Sequence, residues 1–84
     1  MNFSKKLTRS EAKWKVLRLP VDILKQEFPQ KNEIFDVEFN NKIYKLKVNT
    51  SNQIIITQLY ENHKFQENEI LKIESINSGF KFYL

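Results

Sequence analysis

Cysteine is absent from this 84-residue chain, histidine and glycine occur once each, and proline twice. Without cysteine there is no disulfide staple and no thiolate metal site. A single histidine, His63, leaves neither a zinc-binding pair nor a histidine-based triad to assemble within the chain. A single glycine, Gly79, excludes a glycine-rich phosphate loop. Long apolar runs are also missing, so neither a membrane span nor the core of a signal peptide is present. These absences predict a soluble, cytoplasmic chain with no cofactor, no metal and no membrane contact.

What the chain does carry is unevenly distributed. Eighty-four residues suffice for one domain with one small core, and are too few for a core plus an elaborate catalytic cleft. An apolar share of 40% and an aromatic share of 13% are enough to fold, since disordered chains are poorer in both. The formal net charge is +4, but it lies at one end. Residues 1–18 hold Lys5, Lys6, Arg9, Lys13, Lys15 and Arg18 against the single acid Glu11, a net of +5. Residues 19–84 hold eight bases and nine acids, a net of −1. A positive field localised on a nearly neutral body attracts phosphate backbones or anionic surfaces, unless it belongs to a solvated, frayed terminus. Trp14 lies inside this field between Lys13 and Lys15, placed either to cap the core or to stack on a sugar or base.

With so little glycine and proline, punctuation falls to the nine asparagines, which tolerate positive φ better than other side chains. Asn40-Asn41 is read as a two-residue hairpin loop. Phe35, Val37 and Phe39 alternate with polar neighbours before it, and Tyr44, Leu46 and Val48 after it. That register sets Val37 against Tyr44, Phe35 against Leu46 and Asp36 against Lys45. Lys45 and Lys47 are expected to pair with Asp36 and Glu38. Pro20 opens a short helix through Phe28, with Asp22 near its positive end and Pro29 ending it. Residues 14–19 read as a strand, although Thr8 with Glu11 forms a capping-box pattern that allows helix over 8–18 instead. Gln53 to Thr57 reads as a buried strand centred on Ile54, Ile55 and Ile56, and Thr57 as the cap of a helical turn. Glu67 and Glu69 flank a turn and are read as solvated. A last hairpin joins Ile70–Glu74 to Phe80–Leu84 around Asn77-Ser78-Gly79. The fold class predicted is mainly β (α+β): a small open pseudobarrel of five to seven strands with two short helices, which hides sheet edges. Residues 1–13 are expected to form a basic arm and 14–84 the pseudobarrel, in a single domain.

Catalysis finds no support. Glu11-Ala12-Lys13 supplies the trailing part of a metal-nuclease motif, but no acid precedes it to complete the metal site. The ordered features instead resemble one family. Arg18-Leu19-Pro20 followed by Val21-Asp22-Ile23-Leu24 is similar to the strand–Pro–helix opening of the plant B-three-type DNA-binding domains and their bacterial relatives in restriction endonucleases. Tyr44 within a hairpin's second strand, then Ile54-Ile55-Ile56 ahead of Leu59-Tyr60, then Phe65 to Ile73 and Phe80-Lys81-Phe82, follow the family's order. The resemblance covers residues 14–84 and is one of residue types, with Asn68-Glu69 where the family often has Gly-Asp. A weaker similarity links the Leu-Pro-helix and closing strand to AbrB-like swapped-hairpin DNA binders, which complete their barrel as dimers. The forty or so residues between those pieces favour a monomer.

The resemblance implies a non-catalytic domain that binds double-stranded DNA, with two arms straddling the major groove. The first arm would be the basic segment Lys5, Lys6, Arg9, Lys13, Trp14, Lys15 and Arg18, gripping phosphates, with Arg9 or Arg18 able to read guanine. The second would be Asn49, Thr50, Ser51, Asn52 and Gln53, of which the Asn and Gln amides can pair with adenine's groove edge, as Ser and Thr cannot do as selectively. Such a domain would act in a restriction-modification or transcription-regulatory system, within a larger nuclease or regulatory assembly or alone. Read without the resemblance, residues 49–53 are an ordinary polar turn. Two other classes remain: a small protein-interaction module that binds an acidic partner, and a single-stranded nucleic-acid binder. The latter needs aromatics on an exposed face, whereas here they alternate with charge and point inward.

Overall fold

The chain runs β1 (Asn2–Lys6), α1 (Arg9–Trp14), β2 (Val16–Arg18), α2 (Val21–Glu27), β3 (Phe35–Phe39), β4 (Lys42–Leu46), β5 (Gln53–Ile55), a 3-10 turn (Thr57–Glu61), β6 (Ile70–Ile76) and β7 (Gly79–Tyr83). The computed structural model describes all of residues 1–84. Five strands form one sheet in the order β1-β6-β7-β3-β4, and β2 pairs with β5 as a separate two-stranded unit. The two units do not join into a closed barrel, and the architecture is the expected mainly-β open pseudobarrel.

Asparagine sets the turns. Asn40 and Asn41 take φ of 50° and 65°, the conformation a two-residue hairpin loop requires. The register that follows sets Phe35 against Leu46, Asp36 against Lys45 and Val37 against Tyr44, as the alternation predicts. Phe35, Val37, Phe39, Tyr44 and Leu46 all turn inward. Lys45 meets Asp36 at 2.7 Å, but Glu38 pairs with Lys81 at 3.8 Å rather than with Lys47. The other neighbour of β3 is β7, running parallel, which sets Lys81 opposite Glu38. That parallel contact also fixes Gly79. Its φ is 154°, and an added Cβ would lie 2.2 Å from the Asp36 carbonyl oxygen.

The core joins both sheets and α2. Phe28 stacks on Phe80 at 4.2 Å between ring centroids, and Phe35 meets both rings edge-on at 5.4 Å. Val37, Ile54, Ile56, Leu59 and Leu71 are fully enclosed in the same cluster. At about 25 cal/mol per Å² of apolar surface, such side chains are the main stabilising contribution of a chain this small.

The first thirteen residues are not an arm apart from the barrel. Asn2–Lys6 pairs antiparallel with β6, Phe3 opposing Ile73, and Leu7 is buried at the end of the strand. The inward positions are Phe3 and Lys5, so a cation holds a place where alternation looks for an apolar side chain. Over 8–18, helix and strand each hold in part: the Thr8–Glu11 capping box opens α1, and β2 begins only at Val16. In β5 the pleat turns Ile54 inward while Ile55 is exposed, so the three isoleucines are not all buried. Thr57 is inside its turn rather than at the cap, which Ile56 occupies without a side-chain hydrogen bond. Glu69 is half-buried, not solvated: it lies 2.9 Å from His63 Nε2 and accepts from the Gln66 N–H at 2.7 Å. No helix is long and apolar enough to cross a membrane.

Candidate nucleic-acid interface

Glu11 is the only buried charged side chain, and it organises the basic segment. Its Oε1 accepts from the Thr8 N–H at 2.9 Å and lies 3.2 Å from Lys5 Nζ. Its Oε2 accepts from the Arg18 backbone N–H at 2.8 Å. In return Thr8 Oγ1 accepts from the Glu11 N–H at 3.1 Å, completing the capping box. One carboxylate thus ties β1, α1 and β2 together. A buried carboxylate is tolerated only when its oxygens are paired in this way.

The helix so anchored presents its cations outward. Arg9 and Lys13 are exposed, and Lys13 Nζ lies 5.2 Å from the centre of the Trp14 ring. Trp14 is 64% exposed, so it does not cap the core. Lys15 ends α1 in the left-handed conformation at φ 58°, its N–H donating to the Glu11 carbonyl. Its ammonium sits 5.1 Å from the Tyr60 ring centre. The Tyr60 hydroxyl donates to the Ala12 carbonyl at 3.1 Å, fastening the helix from the other side. Burial pushes the Tyr60 phenol above its usual value near 10, with the charge of Glu69 adding to the rise.

Residues 49–53 form a loop built by its first member. Asn49 Oδ1 accepts from the N–H groups of Ser51 and Gln53, each at 2.9 Å. The Asn49 N–H donates to the Gln53 carbonyl at 2.8 Å, and Asn52 takes φ 59°. A bridge between Val48 and Ile54 closes the base. The amide oxygen of Asn49 is therefore engaged by the loop itself. Thr50 and Ser51 project into solvent, and Asn52 and Gln53 are half-exposed.

The two segments meet at the β2–β5 pair, where Arg18 lies opposite Gln53. With the Gln53 amide oriented so that its oxygen faces the guanidinium, it accepts from Arg18 Nε at 3.1 Å and Nη2 at 3.3 Å. Arg18 Nη1 also reaches Ser10 Oγ at 3.5 Å. A continuous polar line thus runs from Ser10 through Arg18 and Gln53 to Asn49. Lys6, exposed on β1 opposite Ile70, has no hydrogen bond or ion pair to this line, and Lys5 is turned inward onto Glu11.

Two participants escaped the sequence reading. The pattern Thr8-x-x-Glu11 announced a helix cap, but nothing local announced that the same carboxylate would also hold Lys5 and Arg18. Lys31, whose Nζ lies 3.4 Å from the Thr50 carbonyl oxygen, joins the loop from nineteen residues away.

No family model and no curated protein matches the sequence. In three dimensions the chain matches the N-terminal domain of Helicobacter pylori LlaJI.R1 with a TM-score of 0.71 and 15% identity, over 100% of this chain and 88% of that one. It also matches the Arabidopsis FUS3–DNA complex with a TM-score of 0.68 and 12% identity, over 95% of this chain and 92% of that one. The fold is that of the B-three-type pseudobarrel, the family whose order of elements the sequence resembles.

Proposed function

We propose that this chain is a non-catalytic domain that binds double-stranded DNA and reads sequence in the major groove, as part of a restriction-modification or transcription-regulatory system. The observation that carries the reading is the Arg18–Gln53 pair, which joins a cationic segment to a polar loop on one surface. The likeness of the fold to that of FUS3, a protein solved as a complex with DNA, supports the same reading. One chain encloses its own core, which favours a monomer over a swapped dimer.

The roles divide by chemistry. Arg9, Lys13, Lys15 and Arg18 take phosphates, and Trp14 stacks on a sugar or base beside them. Lys5 acts inside the fold by neutralising Glu11, and Lys6 contributes only to the general field. Asn49 shapes the loop, which leaves Thr50, Ser51, Asn52 and the amino group of Gln53 to meet base edges.

The test is a comparison of two double variants on matched and mismatched duplexes. Arg9→Ala with Lys13→Ala should weaken binding to every sequence and lower the salt slope by about two. Asn52→Ala with Gln53→Ala should instead reduce discrimination between sites, by about 1–3 kcal/mol per lost base contact. Equal effects of both variants on all sequences would remove the assignment of a reading loop.

A further inference from the structure

The reading loop has no cation of its own, but two lysines stand in a groove on one side of it. Between α2 and the loop runs an open groove of about 600 Å³ lined by Val21, Leu24, Lys25, Lys31, Val48 and Asn52 among others, none of them acidic. Both lysines are exposed and neither is ion-paired with a carboxylate. The segment after α2 is fastened to the loop's root: the Asn32 N–H donates to the Val48 carbonyl at 2.8 Å, and Lys31 Nζ lies 3.4 Å from the Thr50 carbonyl oxygen. Lys31 therefore stands against the loop, and Lys25 stands on a helix at the groove's opposite wall.

We infer that this groove is a second phosphate track, in which Lys25 and Lys31 bind the DNA backbone on the loop's far side from α1. The inference rests on the DNA-binding reading and extends it. Lys25 and Lys31 are the only charged side chains in the groove's lining; the exposed acids of the same segment, Asp22, Glu27 and Glu33, lie outside that lining and pair with neither lysine. A neutral loop that reads base edges needs its depth in the groove fixed, and backbone contacts supply position without sequence information. The α1 cations fix one flank only; Lys25 and Lys31 fix the other.

The test measures affinity for a 20-base-pair duplex by fluorescence anisotropy at several salt concentrations. Four proteins are compared: the wild type, Lys25→Ala/Lys31→Ala, Lys25→Arg/Lys31→Arg and Arg9→Ala/Lys13→Ala. The Lys25/Lys31 alanine pair should lower the slope of log affinity against log salt by about two, with a loss of about ten- to thirty-fold near physiological salt. The loss should be the same for every duplex sequence, and the arginine pair should restore it. An unchanged slope in the alanine pair, beside a lowered slope in Arg9→Ala/Lys13→Ala, overturns the second track while leaving DNA binding intact. Tighter capture of an acidic protein than of DNA by the wild type, lost in the Lys25/Lys31 alanine pair, also overturns it. Absence of wild-type binding at low salt overturns the DNA reading itself.

Discussion

Lys15 occupies a backbone position that suits another residue. At φ 58° a side chain with a Cβ is strained by about 1 kcal/mol, and asparagine, which this chain uses at five other positive-φ positions, would fit better. A lysine held there despite the strain, its ammonium over Tyr60 beside exposed Trp14, points to a use for its charge. Lys15→Asn should raise stability by about 0.5 kcal/mol, after the lost cation–π contact is subtracted, and should weaken DNA binding. Chemical denaturation and anisotropy on the same preparation check both halves. Glu11 shows the opposite balance. Replacing it with alanine leaves the N–H groups of Thr8 and Arg18 and the Lys5 ammonium without their acceptor, a loss of about 2–4 kcal/mol. A loss below about 1 kcal/mol in urea titration would contradict its organising role.

Among the elements, α1 is the one whose position matters most and whose own stability is least. Six residues are too few to hold a helix in water, so its capping box, Glu11 and the Tyr60–Ala12 hydrogen bond must hold it. Tyr60→Phe should lower stability by about 0.5–1.5 kcal/mol at neutral pH. The Tyr60 phenol is raised in the folded state, so its contribution is complete below pH 10 and is lost as pH rises through the folded value. The phenylalanine variant should therefore lose less stability than the wild type on going from pH 9 to pH 11. Equal losses would show that the fold does not raise the phenol. The next residue in the same turn behaves in the reverse sense. Glu61 accepts from the Tyr44 hydroxyl at 2.8 Å and lies 3.5 Å from Lys42 Nζ, and both hold its carboxyl below the usual range.

Legibility followed the range of the forces involved. The β3–β4 hairpin could be read because its loop chemistry, alternation and charge pairing all lie within a dozen residues and agree. The helix after Pro20 could be read for the same reason. Strand β1 could not, because its partner β6 lies some seventy residues away and its inner face carries Lys5, whose counter-charge sits on another element. The Glu38–Lys81 pair was hidden because β7 joins β3 in parallel, a neighbour no local pattern announces. At the site, the residue types were readable and their uses were not. Asn49 looked like a base reader and builds the loop, while Lys31, which no sequence pattern singled out, stands on it.

For the whole molecule, the account is that a nearly neutral pseudobarrel holds a cationic helix and a polar loop on one surface, joined by Arg18 and Gln53. Electrostatics alone would give affinity without sequence preference, whereas a loop that reads base edges would add discrimination. The measurement that separates them is selection from a randomised duplex pool across salt concentrations, with sequencing of the retained fraction. The account predicts a steep salt dependence and enrichment of a short motif, which is lost when residues 50–53 are replaced by alanine. Retained DNA as diverse as the input, or no retention at low salt, would contradict it.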